Sequence, residues 1–124
     1  MTSSQSCTFC DIYKETLEHL FWECHFTKSL WFELSDWLNQ HGLFFTPSFK
    51  TVILGDSEAL AIVQHIILIT KEYIYRSKLK DNPLSFRPLQ RSIRIKCLIE
   101  KHYMSAVKFL QKWGSIIDSL DINV

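Results

Sequence analysis

CTFCDIYKETLEHLFWEC, residues 7–24, decides how this chain is read. Cys7, Cys10, His19 and Cys24 stand in it as C-x2-C-x8-H-x4-C. Three thiols and one imidazole at this spacing can close a tetrahedral shell around one Zn²⁺. A shell filled by four protein donors leaves no position for water, so the expected metal is structural and not catalytic. The x2 spacing of Cys7 and Cys10 predicts a knuckle turn whose amides face both sulfurs. Thr16 to Cys24 predicts a short helix, with Thr16 as a weak cap. His25 follows Cys24 directly and is the alternative nitrogen ligand to His19.

Outward from this segment the chain reads as helical. Phe26, Leu30, Trp31, Leu34, Trp37 and Leu38 recur on one face at the 3.6 period, so a helix is expected over 26–41, ended by Gly42. Residues 43–56 form a connector with Pro47 and Gly55, and a short extended piece is expected at 51–54. A long apolar helix follows over 58–80, capped by Asp56 or Ser57 and broken at Asp81-Asn82-Pro83. A third helix runs from residue 84 or 85 to about 113, with a break near Pro88 and Gly114 as its cap. The expected fold is mainly α: a small CCHC zinc knuckle followed by about three packed helices. The expected divisions are a disordered tail (1–6), the zinc-binding segment (7–25), a helical domain (26–114) and a loose C-terminal tail (115–124). The core is expected from Leu30, Leu34, Leu38, Leu60, Val63, Ile67, Leu98, Phe109 and Leu110.

Composition narrows the function classes. Of the 124 residues 47% are hydrophobic and only three are Gly and three Pro, so a packed core is available and disorder is not expected. The most apolar run, 59–69, is interrupted by Gln64 and His65 and is too short to span a bilayer, so no membrane partner is expected. The first six residues are polar and carry no apolar signal core. A reducing, intracellular location is therefore expected, nucleus or cytoplasm. Cys97, between Ile95 and Leu98–Ile99, reads as a core thiol.

The net charge of +1 hides an asymmetry. Residues 1–66 hold three Lys against eight acids, and residues 67–124 hold eleven Lys or Arg against five acids. The basic half is either a phosphate-binding face or a set of ordinary solvated charges. Lys71, Tyr73, Tyr75, Arg76, Lys78, Lys80, Arg91, Arg94 and Lys96 are the candidate nucleic-acid contacts. Phe9, Phe21 and Trp22 are candidate stacking platforms, although Phe21, Trp22, Trp31 and Trp37 lie at helical spacing and equally suit a core.

The run CTFCDIYKETLEHLFWECHFTKSLWFEL resembles the zinc-binding segment at the C-terminal end of reverse transcriptases of non-LTR (LINE-type) retrotransposons. The resemblance rests on Cys7, Cys10, Glu15, Thr16, His19, Leu20, Phe21, Cys24 and Trp31. The stretch from Ile53 to Lys80, with Lys71, Tyr73, Ile74 and Tyr75, is similar to the helical tail of such proteins, notably of fish-type elements. The resemblance implies a stand-alone C-terminal fragment that engages an RNA template or target DNA, or docks on the parent polymerase domains, or is a remnant without function. No Asp-Asp pair, phosphate-binding glycine loop, H-E-x-x-H helix or G-x-S-x-G elbow is present. Neither catalysis nor a small-molecule substrate is expected.

Overall fold

The structure, a computed structural model, describes residues 6–122. Four helices form the body: α1 (His25–Gln40), α2 (Ala61–Lys80), α3 (Phe86–Tyr103) and α4 (Ala106–Trp113). Short π-helical turns at His19–Glu23 and Lys50–Leu54 and a 3₁₀ turn at Asp118–Leu120 complete the regular structure. The fold is mainly α, with the Cys/His cluster at its N-terminal end. No described helix is long and apolar enough to cross a membrane.

The apolar stripe of α1 turns inward as its period requires: Leu30, Trp31, Leu34, Trp37 and Leu38 are buried. Phe26, expected on the same face, is instead exposed, because it lies in the first turn, outside the region where α1 meets the other helices. Gly42 ends the helix as read. It takes φ 76°, and the amides of Gly42 and Leu43 return to the carbonyls of Asn39 and Leu38.

Local side chains redirect the next two expectations. The extended piece at 51–54 is a helical turn, since Ser48 Oγ accepts from the Thr51 amide (3.1 Å) and the Ser48 carbonyl from Val52 (3.0 Å). These bonds give the backbone a turn to follow in place of a strand. Asp56 spends its carboxylate on the Glu58 amide (3.1 Å), so α2 starts later, at Ala61. Leu60 consequently lies outside the helix and is exposed. Ile62, Val63, Ile66, Ile67, Ile69 and Ile74 supply the buried face of α2. The helix ends as expected at Asp81, which adopts the left-handed conformation while the Asn82 amide bonds the Ser77 carbonyl.

The third expected helix is two helices, and the break is not at Pro88. Proline in a first turn removes an amide that has no helical partner, so α3 passes through it without interruption. The chain turns instead at Met104, and Ser105 caps α4 by accepting from the Lys108 amide (3.3 Å). Leu98 and Leu110, expected in the core, are exposed, while Leu89, Ile93, Cys97, Phe109 and Trp113 are buried: each of the two leucines follows a residue of the buried stripe and so points about 100° away from it. Gly114 holds a right-handed helical conformation, so it continues the turn and does not form a left-handed cap.

The tail expected to be loose is packed over its described part, 115–122, and residues 123–124 lie outside the described residues. Ile116, Ile117, Leu120 and Ile122 are buried in the same core, because the 3₁₀ turn brings their apolar side chains onto one side. At the other end, residues 1–5 of the expected disordered tail lie outside the described residues. Ser6 is paired in an antiparallel bridge with Lys14.

One polar cluster ties α2, α3 and α4 together. Glu100 accepts from Lys112 Nζ (2.8 Å) and from the Trp113 indole (2.9 Å), and His65 Nδ1 lies 3.1 Å from the same Nζ. Burial, reinforced by the Lys112 charge, holds the His65 pKa below its ordinary value. Burial pushes Glu100 up, but Lys112 and Trp113 outweigh it and hold the carboxyl below its ordinary range.

Candidate metal centre

The four motif residues converge because three local devices bend the chain. The first is the knuckle. The Cys7 amide donates to the Tyr13 carbonyl and the Asp11 amide to the Cys7 carbonyl, both at 2.8 Å. Asp11 takes a left-handed conformation (φ 55°), which aspartate tolerates better than most side chains. This doubles 7–13 back on itself and turns Cys7 and Cys10 to one side.

The second device is Thr16, whose Oγ1 accepts from the His19 amide at 3.0 Å and starts the next turn. The third is the π-helical turn. In an α-helix, residues five apart point about 140° away from each other. Here the Cys24 amide closes on the His19 carbonyl at 2.8 Å, a five-residue turn that returns Cys24 over His19. The chain then leaves Cys24 extended (ψ 132°) and enters α1.

The ligand atoms of Cys7, Cys10, His19 and Cys24 all lie within 4.8 Å of one another. A tetrahedral zinc shell with ordinary Zn–S and Zn–N bonds has ligand–ligand edges of about 3.5–3.8 Å. The Cys10 Sγ to His19 Nε2 separation, 3.3 Å, is slightly shorter than such an edge. The four residues are therefore positioned to bind one metal ion. Cys7, Cys24 and His19 are buried and Cys10 is half-buried, which leaves the knuckle side as the ion's access.

The nitrogen donor in the cluster is His19. His25 is exposed, stacks on Phe26 with ring centroids 4.1 Å apart, and is absent from the cluster. The Tyr13 ring, 5.4 Å from that of His19, flanks the imidazole.

The electrostatics suit a cation. Burial raises Cys10, but the amides of Tyr13 and Ile12 and the His19 ring outweigh it and bring the thiol down to about 6. Burial pushes Cys7 up to about 11 against the amides of Cys10 and Phe9, with the sulfur of Cys24 adding to the rise. Without a metal the Cys7 thiol thus keeps its proton at neutral pH. A bound cation displaces it. All four cysteines are free thiols, as ligation requires, and Cys97 is a buried core thiol remote from the cluster in sequence.

Glu15 is the site residue that spacing alone did not single out. Its Oε1 accepts from the amide and the hydroxyl of Thr8, both at 2.9 Å, and its Oε2 pairs with Lys78 at 2.7 Å. It pins the knuckle to α2. A glutamate within the quoted motif was the only signal available, and nothing local names its partner 63 positions on.

The basic candidates do not form one free face. Lys71 donates to the Ile53 carbonyl (3.2 Å) and is partly desolvated, and Tyr73 accepts from the Ser85 amide (3.0 Å). Arg76 and Lys96 both face Glu72, at 3.1 and 3.8 Å, and Lys78 is held by Glu15. Tyr75, Lys80, Arg91 and Arg94 are exposed, with Arg94 Nε bonded to the Leu120 carbonyl (3.0 Å). The aromatic candidates divide too. Phe9, Phe21 and Trp22 are half-buried against the core, and Trp31 and Trp37 are buried within it.

Comparison with protein-family models, with curated proteins and with solved structures finds no match to this chain.

Proposed function

We propose that this chain is a zinc-stapled helical module that binds nucleic acid and performs no chemistry of its own. The observation that supports it is the convergence of three sulfurs and one imidazole nitrogen within 4.8 Å. That donor set favours zinc, which takes mixed thiolate and imidazole ligands in tetrahedral geometry. Cys7, Cys10, His19 and Cys24 would hold it, and the ion would contribute folding energy to a short segment that lacks a core of its own. Four protein donors leave no site for an activated water, which is why we assign no catalysis to the ion.

The nucleic-acid part of the proposal follows from the basic C-terminal half and from the resemblance to the end of non-LTR retrotransposon reverse transcriptases. In that setting the module serves the parent polymerase by engaging its RNA template or target DNA inside the cell. A second reading, docking onto those polymerase domains or another protein, is favoured by one observation. Ile95, Ile99 and Tyr103 on α3 and Val107 on α4 are exposed apolar side chains.

Native mass spectrometry of protein purified under reducing, chelator-free conditions tests the first step. One zinc per chain is expected, lost or much weakened in His19→Ala; a metal-free wild type removes the proposal's basis. Salt-dependent binding of single-stranded RNA tests the second step. Zinc-loaded protein that ignores nucleic acid yet self-associates through α3 favours docking.

A further inference from the structure

The C-terminal turn lies against α3 and encloses a notch that the basic candidates above only partly cover. Arg87, Arg91 and Arg94 are spaced i, i+4, i+7 and therefore share one face of α3. With Ser119, Leu120 and Asp121 they line a cavity of about 200 Å³. The Leu120 carbonyl holds Arg94 Nε at 3.0 Å, which fixes that guanidinium and leaves its terminal nitrogens to a ligand. Among the described residues no carboxylate pairs with Arg87 or Arg91, although Arg76, Lys78, Lys96 and Lys112 are all paired. The notch thus gathers three arginines, two of them without a carboxylate partner among the described residues, around one cavity.

We infer that this notch seats one phosphate of an RNA backbone. Guanidinium groups match phosphate oxygens with paired, charge-assisted hydrogen bonds, and three converge here. Asp121 in the opposite wall repels a second phosphate, so the seat takes one. Its carboxylate accepts a hydrogen bond from a hydroxyl beside the phosphate, which a ribose 2′-OH supplies and deoxyribose does not. This inference rests on the nucleic-acid reading above and gives it a location.

The test uses zinc-loaded full chain and fluorescein-labelled 12-nucleotide oligouridine and its deoxy counterpart, read by anisotropy over a range of potassium chloride concentrations. Arg87→Gln/Arg91→Gln is expected to weaken RNA binding about tenfold or more. It should also take about 0.7 from the slope of log affinity against log salt, the share of one phosphate contact on a single strand. Lys50→Gln, remote from the notch in sequence, should change neither. Asp121 has φ 59°, so Asp121→Gly fits the backbone and should abolish any preference for RNA over DNA. Circular dichroism confirms that each variant is folded. RNA binding that survives intact in the double arginine variant overturns the notch and leaves the nucleic-acid reading standing. Equal RNA and DNA affinities in the wild type overturn the hydroxyl contact. A wild type that binds neither oligonucleotide overturns the nucleic-acid reading and the notch together.

Discussion

The knuckle and the helical body are stabilised by different physics. In residues 6–24 the buried apolar side chains are Cys7, Leu20 and Cys24, and two of those belong to the candidate metal cluster. Its shape is set by backbone turns, the Thr16 cap and the Glu15 carboxylate. The body buries Trp31, Leu34, Leu38, Ile66, Ile74, Leu89, Ile93, Phe109, Trp113 and Ile116 almost completely. Its stability scales with apolar area removed from water, whereas on the proposed function that of the knuckle would depend on metal occupancy. The two are joined by apolar packing of Leu20, Phe9, Phe21 and Trp22 on the core and by a few polar bonds. Thr27 Oγ1 and the Trp31 indole donate to the Leu20 and Phe21 carbonyls, both at 2.8 Å, and Lys78 reaches Glu15.

The largest effect should come from Cys24→Ser or from chelation. Structural zinc contributes on the order of 10–16 kcal/mol to isolated finger peptides, and most of that should vanish from the knuckle. By hydrogen exchange, the amides of Cys7, Asp11 and Cys24 should lose protection while those of 66–74 and 89–97 keep theirs. Equal loss in all of these segments would show one cooperative unit and dissolve the distinction.

The converse change is Ile66→Ala. Ile66 is fully buried in α2. Truncation there should cost about 2–5 kcal/mol in denaturant unfolding. Zinc affinity, measured by competition with a chromogenic chelator, should stay within a few-fold of wild type. A large loss of zinc affinity would mean that the knuckle borrows its stability from the core.

These two regions also differ in how far they could be read from the sequence. The metal cluster was legible because four ligands within 18 positions leave little geometric freedom, and the preference for His19 over His25 holds in the structure. The period of α1 was legible for the same reason, since its burial stripe is set locally. What failed was set by competition between neighbours. Ser48 and Thr51 drew 50–54 into a helical turn, Ser105 and not Pro88 divided the third helix, and the buried stripes run through Cys97 and Phe109, leaving the adjacent Leu98 and Leu110 exposed. The tail read as loose because SIIDSLDINV is short and polar at intervals. Its burial depends on a surface of α3 that no local pattern announces. Nor does spacing foretell Glu15 meeting Lys78, or Glu100 gathering Lys112 and Trp113.

That second cluster gives the body its own pH response. His65 has a folded pKa below its ordinary 6.5, so the unfolded chain binds the proton more readily. Its contribution is complete above about 6.5 and is lost as pH falls below that. Glu100 acts in the same direction at lower pH, below its ordinary 4.5. Glu100→Gln should cost about 1–3 kcal/mol by weakening the contacts of Lys112 and the Trp113 indole. Between pH 7.5 and 5.5 the indole N–H resonance of Trp113 should shift in the wild type and much less in His65→Gln. Because the probe sits at the α3–α4 junction, it separates this response from acid release of the metal. An unchanged resonance in the wild type would remove the cluster as the source.

The smallest effect should come from Lys78→Met, and it tests the joint itself. The Lys78–Glu15 pair is partly exposed, with side chains 28% and 17% accessible, so its removal should cost no more than about 1 kcal/mol. Burial pushes Glu15 up, but Lys78 and Thr8 outweigh it and hold the carboxyl below its ordinary 4.5. The pair therefore contributes at neutral pH and fades as the pH falls through that lowered value. Losing Lys78 should leave the melting of the body nearly unchanged. It should also free Glu15 to loosen its hold on Thr8, two residues from Cys10, so zinc dissociation should quicken by a few-fold. Glu15→Gln, which keeps an acceptor for Thr8 but gives up the charge, should fall between Lys78→Met and wild type. If Lys78→Met released zinc as completely as Cys24→Ser, metal occupancy would be governed from α2, and the knuckle would be an extension of the body with a metal in it.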